Sequence, residues 1–521
     1  MPWHDVHCAL WGPPCRDIAR HFVQRWNFAK RNKAPYEETI PLLMPQHHMV
    51  IFHYLGKATN EKNEHEDTES KNSSSSSSSA QDIPLLLPQE SRLRNLTETS
   101  TETLWDSSPI CGSTETTNFE VPLKGFIDDV PLKSSSSLLY RPIANNSDTE
   151  WWDSQERSDL VCYGNETGMA GPPTSCRCQV IRSVSQWSAG TSQVEESIHF
   201  AYCSLIENAE HYIYIENQFF ISGLAGDDII RNRVLEALYR RILKAHNDKK
   251  TFRVIIVIPL LPGFQGGVDD SAAASVRAIM HWQYRTICRG QNSLLHNLHD
   301  VLGPQTNDYI SFYGLRSHGK LEENGRIATS QVYVHSKIMV VDDRSALIGS
   351  ANINDRSLLG SRDSEIGVLI EDKEFVNSVM NEKPWKAGKF TLSLRLSLWA
   401  EHLGLRSSEI NKITDPACAS TYRDLWMATA NENSVIYQQV FSCIPNNVIL
   451  TRGELRQSVA SRKEKDGYTT IDLGLAPENF GDEILGAVRG HLVLFPLDFM
   501  SKEDLRPVFN QSEYYASQIF Y

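Results

Sequence analysis

One stretch of the 521-residue chain combines residue types that act on phosphate: Val334-His335-Ser336-Lys337-Ile338-Met339-Val340-Val341-Asp342. Alternate side chains share a face of an extended strand, so His335 and Lys337 are expected to project together from a strand over 332–341. A lysine offers fixed positive charge to phosphoryl oxygens. A histidine can transfer a proton or attack phosphorus near neutral pH. Six residues beyond Asp342 separate it from Gly349-Ser350-Ala351-Asn352, a glycine turn offering backbone N–H, a hydroxyl and an amide to a phosphate. Glu365, in Asp363-Ser364-Glu365, opens the next strand and is expected to hydrogen-bond His335 and fix its tautomer. An isolated H-x-K is common by chance. The turn and the carboxylate at these distances give it weight.

The elements that must position these groups read as alternating helix and strand. Helical periodicity covers 194–209, 230–245 and 272–289, and apolar runs at 212–215, 252–258 and 309–313 read as strands. Further strands are expected at 346–348 and 365–370, followed by a helix from Glu374. This is an α/β pattern around a buried mixed sheet flanked by helices. Glu216, Asn217 and Gln218 end a strand and are placed at the cleft, with Asn217, Gln218 and Ser350 as substrate contacts. Arg277, His281, Arg285 and Arg289 recur on one helical face, which suits either lipid headgroups or solvent.

Ahead of this domain lies a segment with a different look. An apolar strand is expected over 6–10, then a turn at Gly12-Pro13-Pro14, then a helix carrying Ile18, Phe22, Val23 and Trp26 at helical spacing. From 56 to 175 the composition shifts to serine runs, threonine and acidic residues. Such a stretch buries too little apolar area to offset its ordering entropy and is expected to be largely disordered. Ile83 to Leu87 and Trp151-Trp152 are apolar islands within it. The expected organisation is therefore a remnant over 1–55, a linker over 56–175, a catalytic domain over 176–403 and a packed extension over 404–521.

The net charge of −13 argues against nucleic acid as a partner, since that needs a basic surface. Of ten cysteines only Cys176 and Cys178 are close together, which is weak evidence for zinc. No apolar run is long enough to span a bilayer. The chain is expected on the cytoplasmic side, peripherally associated with membrane.

The whole arrangement resembles the H-x-K-x4-D-x6-G-[GS]-x-N signature of the phospholipase D superfamily. The resemblance extends to Tyr214-Ile215-Glu216-Asn217-Gln218-Phe219-Phe220, to Ile279-Met280-His281-Trp282 with Tyr284-Arg285-Thr286, and to Ile353-Asn354-Asp355-Arg356-Ser357. In detail it looks most like the plant zeta type. The resemblance implies a pseudo-symmetric site using two such motifs, with no metal or other cofactor. The first histidine would form a phosphohistidine. His335, in the second copy, would protonate the leaving alcohol and then activate water. Lys337 and Asn352 would neutralise phosphoryl charge, and Asp342 would anchor the strand end. The implied substrate is a glycerophospholipid such as phosphatidylcholine, and the implied partner a phospholipid surface, with phosphoinositide as a further candidate.

The chain departs from that pattern in having no second H-x-K-x4-D. His47-His48 is followed by Met-Val-Ile and reads as loop. Asp5, the strand after it and a helix ending at Trp26 echo Glu365, its strand and a helix ending near Trp385, at spacings of 21 and 20 residues. Asp5 is therefore expected to have oriented the missing histidine as Glu365 orients His335. The opening Met-Pro-Trp-His-Asp resembles an internal segment of plant enzymes. The chain is thus expected to be the C-terminal part of a longer phospholipase D, inactive by itself. Two alternatives are a truncated lipid-binding regulator and a homodimeric single-motif phosphodiesterase.

Overall fold

Runs of β-branched and aromatic residues with almost no charge can persist as strands only where both faces are covered. Three such runs form the middle of the sheet, and every residue in them is buried: β4 (Tyr212–Glu216), β5 (Arg253–Val257) and β8 (Ile338–Val341). The computed structural model describes residues 1–43, 174–264, 268, 274–321, 325–466, 473–477 and 483–506. These belong to one compact unit. The expected linker features, including the two apolar islands and His47-His48, lie outside the described residues.

The remaining strands are β1 (Trp3–His4), β2 (Cys176–Val184), β3 (Glu195–Glu196), β6 (Ile310–Lys320), β7 (Ile327–Val334), β9 (Ser345–Gly349), β10 (Glu365–Asp372), β13 (Gly474–Leu475) and β14 (Leu492–Leu494). They join the middle three in one 12-stranded mixed sheet of order β1-β7-β6-β5-β4-β8-β9-β10-β2-β3, with β13 on β7 and β14 on β6. The helices α1 (Pro14–Lys33), α2 (Ser197–Asn208), α3 (Val234–Asn247), α4 (Ala274–Ile287) and α5 (Lys389–Leu403) follow the expected helical patterns, except that α5 begins later than a helix from Glu374. In its place β11 (Phe375–Met380) and β12 (Lys383–Gly388) form a hairpin. Asn381 and Glu382 close it with φ of 50° and 64°, the left-handed pair that a two-residue hairpin turn demands.

One core is built around Tyr212, Tyr214, Trp399 and Trp426, with the two indoles 4.4 Å apart. Trp426 and strands β13 and β14 come from beyond Leu403, so the C-terminal region contributes to the sheet and its core. Two expectations fail near the N-terminus. The strand lies at Trp3–His4 and not over 6–10, where Val6 and Leu10 instead pack against the core as partly buried side chains. The internal echo also breaks down, because Trp26 lies within α1 whereas Trp385 lies in β12.

Candidate active site

β1 lies parallel to β7, with Trp3 opposite Tyr333 and His4 opposite Val334. The Tyr333 N–H donates to Pro2 O and the His335 N–H to His4 O, both at 2.8 Å. This register brings Asp5 beside His335, and the Asp5 carboxylate lies 2.8 Å from His335 Nδ1. Burial would raise the Asp5 pKa, but hydrogen bonds from His335 and the Val6 N–H outweigh it and hold the carboxyl below its ordinary range. An ionised carboxylate only accepts, so Nδ1 carries the proton and Nε2 is left as the basic nitrogen. The exposed Trp3 indole lies 4.7 Å from the His335 ring and 4.9 Å from that of Tyr333.

The orienting carboxylate is thus Asp5, contributed from 330 residues away, and not Glu365. Glu365 opens β10, which pairs with β9 and β2. There its two oxygens accept from Ser350 Oγ at 2.5 Å and Ser357 Oγ at 3.0 Å. Burial raises its pKa despite these bonds. Ser350 also returns to β10, with its N–H donating to Ile366 O at 2.9 Å. The approach is close because Gly349 faces Gly367. A Cβ on Gly349 would stand 2.8 Å from both Gly367 Cα and Ile366 O.

The expected strand over 332–341 is interrupted at the motif itself. β7 ends at Val334 and β8 begins at Ile338, so His335, Ser336 and Lys337 form the link between strands with different partners. Lys337 is nevertheless directed to the same place. Its Nζ donates to His335 O and, at 3.1 Å, to Gln218 Oε1, while Gln218 Nε2 donates to Tyr333 OH at 3.0 Å. Burial lowers the Lys337 pKa to about 8, against the pull of Asp5 and Glu365. The lysine thus sits within electrostatic reach of both carboxylates. Asn352 Oδ1 is buried with no hydrogen-bond partner.

Asp342 is buried at the strand end. It accepts from the backbone N–H groups of Glu210, His211 and Tyr212 at 2.6, 2.8 and 2.9 Å. It ties the turn after α2 to β8, and burial pushes its pKa up to about 6. Asn217 is fully buried, its Oδ1 taking the N–H groups of Phe219 and Ile353 at 3.1 Å each. It braces the Gly349–Asn352 turn from below and cannot line a cleft. Of the 216–218 trio only Gln218 reaches Lys337. The basic helical face is also engaged internally: Arg285 pairs with Asp227 at 2.7 Å, Arg289 donates to Phe499 O, and Arg277 is buried.

Sequence reasoning overlooked the layer beneath the site. Glu216, with no exposed surface, gathers His4, His402, Tyr214 and Ser336 on its two oxygens. Its pKa is held well below the ordinary value: burial opposes ionisation, but His4 and His402 prevail. Burial likewise opposes charge on His4, yet Glu216 raises its pKa to about 10. Among the described residues, His4, Glu216 and His402 are the one group with metal-capable atoms within 4.8 Å of one another. Each imidazole meets the carboxylate at a hydrogen-bond distance of 2.8 Å, so the carboxylate is satisfied by protein groups, while His402 Nδ1 is buried with no hydrogen-bond partner. The Tyr-x-Glu alternation in 212–216 was the available signal.

Residues 173–442, just over half of the chain, match the family model described as phospholipase D. Phospholipase D zeta 1 of Arabidopsis thaliana is 63% identical over all of this chain and 50% of its own length. Phospholipase D zeta 2 of the same plant is 58% identical over all of the chain and 48% of its own length. Human phospholipase D1 is 35% identical over 97% of the chain and 36% of its own. The chain therefore spans about half the length of its plant relatives, or less for the human one. With a matching motif, a family model matching over half of the chain and a plant relative 63% identical over the whole of this chain, the chain belongs to the phospholipase D family and is similar to its plant zeta type.

Proposed function

We propose that these residues supply one half of a phosphodiesterase site that hydrolyses glycerophospholipids, phosphatidylcholine among them, to phosphatidate and the free headgroup alcohol. The observation that carries this reading is the pairing of His335 with Asp5 beside Lys337. A proton is fixed on Nδ1 and a basic Nε2 is free, with a cation next to it for the phosphoryl oxygens. In this reading a histidine from a second H-x-K motif attacks phosphorus and forms the phosphohistidine. Protonated at Nε2, His335 donates that proton to the leaving alcohol. It then takes a proton from the water that cleaves the P–N bond. Lys337 and Asn352 neutralise the phosphoryl oxygens. Ser350, already donating to Glu365, supports the turn.

On this reading the site acts at a phospholipid surface. Among the described residues no helix is long and apolar enough to cross a membrane, so contact would be peripheral, with Trp3 beside the site. The test is phosphatidate release from phosphatidylcholine vesicles. The 521-residue chain would be assayed alone and then co-expressed with a polypeptide carrying a second H-x-K-x4-D from a full-length relative. Turnover should arise only in the pair and fall by at least ~10³-fold in His335→Gln. Turnover that survives that substitution would overturn the proposal. Turnover by the chain alone would instead favour a site completed by two copies of His335.

A further inference from the structure

Glu216 is a carboxylate with no exposed surface at the end of an otherwise apolar strand. Burying it costs more than burying the isoleucines beside it unless every lone pair is used. All are used. Oε2 accepts from Ser336 Oγ at 2.5 Å and from His4 Nε2 at 2.8 Å. Oε1 accepts from Tyr214 OH at 2.5 Å and from His402 Nε2 at 2.8 Å. The partners are informative. Ser336 directly follows His335, and His4 directly precedes Asp5. One oxygen of one side chain therefore holds the neighbours of both members of the His335–Asp5 pair.

We propose that Glu216 is the positioning residue of this site, the buried clamp that sets Asp5 against His335 Nδ1 and so fixes the histidine's tautomer. The inference rests on the functional reading of His335 only for its significance; the geometry stands without it. The β1–β7 pairing spans two residues on β1, too short to set a register securely. Backbone bonds from Tyr333 and His335 reach the β1 segment from one side. The clamp adds a side-chain tie from beneath, and His402 of α5 fixes the clamp to the helical layer. No apolar residue could do this, which accounts for a charge at a position where packing alone would favour Ile or Val. A glutamine could not either, because its NH2 group would face hydrogen-bond donors.

The test reads the tautomer directly and needs no turnover, so it fails or succeeds independently of the hydrolase assay. The full chain is labelled with 15N-histidine, and long-range 1H–15N spectra are recorded at pH 8, with His335 assigned by its loss in His335→Gln. The unaltered chain should show one His335 tautomer, protonated at Nδ1. Asp5→Asn, the positive control, should replace it with an averaged pattern. Glu216→Gln and Ser336→Ala should each do the same, with amide protection at His335 falling at least ~10-fold. Ser336→Ala removes one hydroxyl and no charge, so it carries the test if Glu216→Gln does not fold. Folded Ser336→Ala with the single tautomer and protection of the unaltered chain would overturn the proposal.

Discussion

Lys337 is 7% exposed, and its ammonium is held there against a desolvation cost that brings its pKa down to about 8. A basic group depressed on folding binds fewer protons in the folded chain than in the unfolded one between that value and its ordinary 10.5. Stability therefore rises with pH across that window, and at neutral pH the charge costs stability. The fold would be better served by an apolar side chain of similar length. Lys337→Met should accordingly stabilise the chain at pH 7 by about 1–3 kcal/mol, less than the full shift because two hydrogen bonds are also lost. It should also flatten the gain seen between pH 8 and 10.5, and abolish protection by a soluble phosphodiester in a thermal melt. A destabilised Lys337→Met would show instead that the lysine serves the fold.

At the scale of elements, the sharpest question is which motif residue belongs to chemistry and which to architecture. Asp342 belongs to the family signature, yet its oxygens are occupied by three backbone N–H groups at the start of β4. Asp342→Asn keeps one acceptor oxygen and turns an NH2 group toward the N–H of Glu210 or of His211 and Tyr212. It should lower stability by about 2–4 kcal/mol, read by denaturant melts. The His335 tautomer and any complemented turnover per folded molecule should stay unchanged. What sequence could reveal follows the same division. The motif groups, the turn at Gly349 and the middle strands were legible because local spacing and apolar runs encode them. The hairpin at Asn381-Glu382 was not, since neither turn residue is a glycine to announce it. The break at His335–Lys337 was hidden because the apolar runs on either side of it, 332–334 and 338–341, read together as one strand. The partner of His335 was invisible to any local pattern, because the β1–β7 register is a contact across most of the chain.

For the whole molecule, the consequence is that a short N-terminal segment supplies the partner of a histidine 330 residues further along the chain. The attachment of that segment is titratable. α1 has no buried residue, and it touches the sheet through partly buried groups such as Gln24, which accepts from Arg182 at 2.8 Å. The secure tie is the buried His4–Glu216 pair. His4 has a folded pKa of about 10 against an ordinary 6.5. Its contribution is therefore complete below 6.5 and is lost progressively as pH rises through 10. Glu216, depressed well below 4.5, contributes above that value and loses its share on acidification. Anchorage should be strongest between about 4.5 and 6.5 and weaken by on the order of 3 kcal/mol towards pH 10. Hydrogen exchange at the Tyr333 and His335 amides, corrected for intrinsic base catalysis, should report this as a loss of ~100-fold in protection over that range. The β5 amides that bridge to β4 should keep theirs. His4→Gln should show the low protection at every pH and no such slope. If the slope persists in that variant, the tie between the segment and the sheet lies in the backbone pairing alone.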